Sequence, residues 1–130
     1  MNKRMRLLLW LLSVLLLQSC GSHIEPKTDS SLIGYRETGK ASFYSMKFQF
    51  RKTASGDRFN QLAMTAAHKT LPFGTILLVT NLENGRSVRV VVNDRGPFIK
   101  GRIIDLTRAA FAKIGDTDQG IISVKIVAVK

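Results

Sequence analysis

The chain has 130 residues, with 20 Lys and Arg against 9 Asp and Glu, a formal net charge of +11 and a single cysteine. Once an apolar leader is set aside, that length leaves room for only one compact domain, and a lone cysteine excludes an internal disulfide framework. The basic balance suits an anionic polymer.

Lys3, Arg4 and Arg6 precede the apolar run from Leu7 to Leu17, broken only by Ser13, and Gln18-Ser19-Cys20-Gly21 follows. This is the layout of an export signal over residues 1–19: a positive start, an apolar middle and a small-residue cleavage site. As a helix the run is roughly 16 Å long, about half of a roughly 30 Å hydrocarbon core, so cleavage rather than a permanent span is expected. Without its three cations the chain keeps 17 basic residues against 9 acidic ones, a net charge of +8. In an exported protein such a charge favours a cell-envelope polymer over nucleic acid, and no aromatic-interleaved nucleic-acid motif is present.

Leu17-Gln18-Ser19-Cys20 resembles the lipobox of bacterial lipoproteins. The resemblance implies cleavage before Cys20 and lipidation of its thiol, and two or more acyl chains hold a protein stably on a membrane. Gly21, in place of the aspartate that marks inner-membrane retention, points to the periplasmic face of the outer membrane. The plainer alternative is a secreted protein with a chance cysteine. Residues 20–38 are polar, mixed in charge and broken by Pro26, a composition that predicts a flexible linker with a reach of roughly 20 to 25 Å.

The predicted domain covers residues 39–130. Lys40 to Ser45 reads as a strand, a polar loop follows, and Leu62 to Ala67 reads as a short second strand. Thr75 to Thr80 and Ser87 to Val92 are β-branched runs around Asn84-Gly85, which predicts an antiparallel hairpin. Arg102 to Asp105 reads as another strand. Thr107 is the predicted N-cap of a helix over Arg108 to Ile114 that ends at Gly115, with Ala110, Phe111 and Ile114 on its buried face. Ile121 to Val129 supplies the last strand. Several short strands and one helix predict a mainly β fold, a small closed barrel without exposed edges.

Candidate chemistry gathers at Asn93-Asp94-Arg95-Gly96-Pro97-Phe98, which leaves an apolar strand at a predicted barrel rim. Read locally, Asp94 either caps a Gly-Pro turn or presents a carboxylate to a cleft. His68 is one of two histidines, the other being His23 in the linker. No acidic or cysteine cluster beside it has metal-ligand spacing, so no metal is expected. No glycine-rich phosphate loop and no serine nucleophile elbow is present, so no cofactor is expected either. Carboxylate chemistry remains, with Asp57, Asp94 and Asp105 as candidates.

Six blocks in order, Gly39-Lys40-Ala41-Ser42-Phe43-Tyr44, Thr53-Ala54-Ser55-Gly56, Thr65-Ala66-Ala67-His68, Leu71-Pro72-Phe73-Gly74-Thr75, Asn93 to Phe98 and Gly101-Arg102-Ile103-Ile104-Asp105-Leu106, resemble the rare lipoprotein A family. The resemblance implies a six-stranded double-psi β-barrel with one short helix. It also implies a lytic transglycosylase that cleaves between N-acetylmuramic acid and N-acetylglucosamine of peptidoglycan, prefers strands stripped of stem peptides and leaves 1,6-anhydro ends. That chemistry needs one acid to protonate the leaving oxygen and then take the proton of the muramic C6 hydroxyl as it attacks C1.

By the same resemblance Asp94, His68 and Asp57 are the catalytic residues, and Asp105, Arg95, Tyr44, Thr65 and Asn93 are substrate-binding or supporting ones. Asp57 stands where the family usually has glutamate, Phe43 where it has Trp or Tyr, and Gln49-Phe50 where many members have His-Gly. Lys130 directly follows the last predicted strand, so no septal glycan-binding domain is expected, and the domain is expected to be monomeric. A second functional class stays open, a non-catalytic glycan-binding or wall-loosening barrel of the expansin type.

Overall fold

A computed structural model of the chain describes residues 24–130. The predicted signal segment, Cys20 and the first linker residues lie outside them. Six strands are formed: β1 Arg36–Phe43, β2 Thr65–His68, β3 Ile76–Asn81, β4 Ser87–Asp94, β5 Arg102–Leu106 and β6 Ile122–Val129. They close in the order β1-β5-β2-β4-β3-β6, with β6 pairing back onto β1. The β1/β5 and β2/β4 pairs are parallel and the others antiparallel. Among the described residues this is the closed six-stranded barrel with one short α-helix that the family resemblance implies.

The period of two in the strands fills the barrel. Leu77 and Val79 on β3, Val90 and Val92 on β4, and Val124 and Ile126 on β6 are all fully buried, with partly exposed residues between most of them. β-Branched side chains suit this pleated surface. The β3–β4 hairpin turns through Gly85 at φ 73, the left-handed backbone that its Asn-Gly signal predicts. Helix α1, Arg108–Ile114, starts where expected: the Thr107 side chain accepts the Ala110 N–H. Its buried face is Ala110, Phe111 and Ile114, and Phe111 stacks on Phe43 at 4.9 Å between ring centroids.

Two expectations are corrected. The barrel begins before residue 39, because Arg36, Glu37 and Thr38 pair with Val127, Ile126 and Lys125 of β6. Ahead of them the described part of the predicted linker is a docked strap. The Lys27 N–H donates to the Gly74 carbonyl at 2.9 Å, the Ile76 N–H donates to Thr28 Oγ1 at 2.9 Å, and the Gly34 N–H donates to the Ala128 carbonyl at 2.9 Å. Gly74 is required here: it sits at φ +92, and a Cβ would stand 3.0 Å from the Glu25 carbonyl oxygen. Backbone hydrogen bonds dock the strap, so no apolar period announces it.

The second correction concerns Leu62 to Met64, which turn instead of extending. Leu62 is 79% exposed, its N–H bonds Asn60 Oδ1, and β2 starts only at Thr65. The polar loop before β2 is an ordered arm over residues 45–63. It contains the short 3-10 turn Met46–Phe48 and an isolated bridge between Lys52 and Arg58. Buried Gln61 anchors it, donating to the Tyr44 carbonyl, accepting the Arg108 N–H and bonding Gln49 Oε1 through its own N–H. Phe50 lies in this arm at φ 64, the left-handed region that favours glycine.

Candidate active site

Register brings the two chief carboxylates together. Ala67 on β2 is level with Asp94 on β4 and with Asp105 on β5, one strand to either side. Two strand spacings put their backbones roughly 9 to 10 Å apart. Both side chains line a cleft of about 490 Å³, together with Ser42, Tyr44, Phe48, Arg102 and the Arg95 to Ile99 loop. The carboxylates are joined by hydroxyls from one line of β1 and its extension, since Ser42 and Tyr44 are two residues apart and so point the same way. The Ser42 hydroxyl donates to Asp105 Oδ1, and the Tyr44 hydroxyl donates to Asp94 Oδ2 at 2.7 Å.

The two carboxylates live differently. Asp94 Oδ1 accepts the Ala54 and Arg95 backbone N–H groups, each at 2.9 Å, while Oδ2 takes the tyrosine hydroxyl. Three fixed donors leave one in-plane lone pair unbonded. Asp105 has only the serine. Burial pushes its carboxyl above the ordinary aspartate range, the Ser42 bond and the Arg102 charge pull it back, and Asp94 raises it again. Burial likewise raises Tyr44 well above the ordinary phenol range, with its bond to Asp94 adding to the effect, so the phenol stays a proton-bearing donor.

His68 is not brought to Asp94. It follows Ala67 on the same strand, and successive strand residues face opposite ways. Its Nδ1 accepts the Thr70 and Leu71 N–H groups, each at 3.1 Å, which leaves the ring proton on Nε2, 3.1 Å from Glu37 Oε2. Tyr35 donates to the same carboxylate and meets the imidazole edge-on. The histidine is 3% exposed and outside the cleft lining. The structure thus places His68, a catalytic residue by the family resemblance, against Glu37, where it ties the β2 end to β1 and to the following turn.

Asp57 also stays out of the cleft lining. Its turn does reach the site through the backbone, because Ser55 N–H bonds the Asn93 carbonyl and Ala54 N–H bonds Asp94, but no hydrogen bond of the Asp57 carboxylate is formed among the described residues. Asn93 is buried and receives this turn, while Thr65 bonds the Thr107 N–H through its carbonyl behind the site. Arg95 lines the cleft, yet its guanidinium is engaged with the His68 and Leu71 carbonyls and sits 4.1 Å over the Phe73 ring. Sequence reasoning missed Ser42, Phe48, Arg51, Lys52 and Arg102. The spacing of Ser42 and Tyr44 is the one local signal that could have revealed the first.

A closed barrel with two carboxylates in a cleft where β4 and β5 flank β2 defines the class, and the comparisons with known proteins agree. Residues 36–126 match the family described as lytic transglycolase, and the chain belongs to this family of double-psi β-barrels. It is 52% identical over 106 residues to the endolytic peptidoglycan transglycosylase RlpA of Pasteurella multocida, covering 82% of this chain and 36% of that one. To the protein of the same name from Haemophilus influenzae it is 49% identical over 108 residues, covering 83% and 38%. The chain thus spans little more than a third of these relatives.

Among solved structures it is similar to a Streptomyces papain inhibitor, with TM-score 0.61, 29% identity and coverage of 75% of this chain and 97% of that one. It is also similar to an expansin of Clavibacter michiganensis in complex with cellohexaose, with TM-score 0.59, 27% identity and coverage of 73% and 50%.

Proposed function

We propose that the chain is a peptidoglycan lytic transglycosylase that cleaves between N-acetylmuramic acid and N-acetylglucosamine, favours peptide-stripped strands and leaves 1,6-anhydro ends. The observation that carries the reading is the pair Asp94 and Asp105, differently environed and level with Ala67, in one cleft of a family barrel. Asp105 is the better proton donor of the two, because burial favours its neutral form. It protonates the glycosidic oxygen as the C1–O bond breaks. Its carboxylate then takes the C6 hydroxyl proton as O6 bonds to C1, so the proton returns and no water is consumed. Asp94, held by three donors, places negative charge beside the cationic sugar ring.

The purified chain incubated with peptide-free glycan strands should give, by mass spectrometry, fragments one water lighter than hydrolysis products. Asp105→Asn should lower turnover by about a thousandfold, within the usual range for a lost general acid. Hydrolysed ends would make the protein a hydrolase, and bound but uncut strands would favour the expansin-like reading. If Asp105→Asn kept a tenth of the activity while Asp94→Asn abolished it, the donor role would pass to Asp94.

We further infer that the chain is exported and acylated at Cys20, on the outer membrane, on the strength of the basic start, the apolar run and the Leu17 to Cys20 pattern. Cys20→Ser should move the protein from the membrane to the soluble fraction. An unchanged membrane share would overturn this.

A further inference from the structure

The charge lining the cleft does not match a neutral sugar. Arg51 and Lys52 from the arm and Arg102 from the start of β5 border it beside the two carboxylates. None of the three makes a salt bridge among the described residues. Arg95, in the same lining, shows the contrast, since two carbonyls and an aromatic ring already occupy its guanidinium. Arg51 also lies near an aromatic ring, 5.7 Å from the Phe48 centroid, but its guanidinium makes no hydrogen bond among the described residues. Three cations around one concavity, none of them in a salt bridge among the described residues, are a site for an anion.

The peptidoglycan reading, on which this inference rests, supplies only one anionic group on the glycan itself. N-acetylglucosamine is neutral. Muramic acid carries a lactyl ether whose carboxyl is a neutral amide while the stem peptide is attached, and becomes a free carboxylate when the peptide is removed. We propose that Arg51, Lys52 and Arg102 form a subsite for the lactyl carboxylate that muramic acid bears once its stem peptide is gone. An arginine fork is well matched to a carboxylate, and a lysine adds a point charge.

The test compares two ligands of equal length: peptide-free glycan strands, and the same strands with the lactyl carboxyls converted to primary amides. Binding to the full chain is measured at equilibrium, so the result does not depend on turnover. The native chain should bind the carboxylate strands about tenfold more tightly, as expected for charge-assisted hydrogen bonds, and the margin should shrink as salt is added. Arg51→Gln with Arg102→Gln should bind both ligands alike, at the native affinity for the amidated strands, while Arg102→Lys should keep part of the preference. Arg51→Gln with Lys52→Gln, both at exposed positions, provides a second variant that leaves β5 intact.

Equal native affinity for the two ligands would overturn the subsite, and so would a preference that survives in both double variants. A retained preference with no anhydro product would instead sink the catalytic reading alone. Binding of neither ligand would remove the peptidoglycan reading and the subsite with it.

Discussion

Two polar clusters flank the end of β2, and the same kinds of residue serve opposite ends in them. On one side His68, Glu37, Tyr35 and Arg95 satisfy one another and the nearby backbone: both imidazole nitrogens are bonded and the guanidinium is shared between two carbonyls. On the other side Asp105 is held by one serine, Asp94 keeps one lone pair unbonded, and Arg51, Lys52 and Arg102 make no salt bridge among the described residues. A filled hydrogen-bond set marks architecture, and an unfilled one marks a place for a ligand.

Substitution at His68 is the strongest way to break this distinction. His68→Ala strands the buried Leu71 N–H and the part-buried Thr70 N–H and opens a cavity, which should cost about 3 kcal/mol and lower the thermal midpoint by roughly 10 °C or more. Turnover per folded molecule should stay within about threefold of the native value. A loss of kcat as large as that of Asp105→Asn, with stability unchanged, would move the histidine into the chemistry.

The smaller effect is one of sign. Because burial holds the folded Asp105 carboxyl above its unfolded value, its contribution to stability is present at low pH and is lost as pH rises through the folded value. Asp105→Asn should therefore melt higher than the native chain at neutral pH, even though it is inactive, and the advantage should vanish in acid, below the ordinary aspartate range. Ser42 can still donate to the amide oxygen. A variant that melts lower at every pH would mean that Asp105 is a structural carboxylate like Glu37.

Much of the barrel is legible in the chain. The β3–β4 hairpin, the Thr107 cap and the Ala110, Phe111 and Ile114 face follow from period and turn chemistry, which act over a few residues. The strap and the arm are not legible, because the bonds that order them, Lys27 to Gly74 or Gln61 to Arg108, join positions 47 residues apart with no repeating pattern. Asp94 and Asp105 can be picked as candidates from their residue type. Their level placement beside Ala67 depends on the parallel β2/β4 and antiparallel β2/β5 pairings, which no local window contains. His68 shows the cost: its motif suggests chemistry, and only the alternation along β2 turns it away.

The docked strap also fixes how far the cleft can travel. Lys27 is held at Gly74, so only six residues, Gly21 to Pro26, separate the docked position from Cys20. Fully extended, the stretch from Cys20 to Lys27 spans at most about 25 Å. With Cys20 acylated as proposed, the domain is a short-leashed tool that works in a thin shell above its membrane. Glycan must be presented within that shell, and distance from the bilayer becomes a spatial filter acting before any recognition in the cleft.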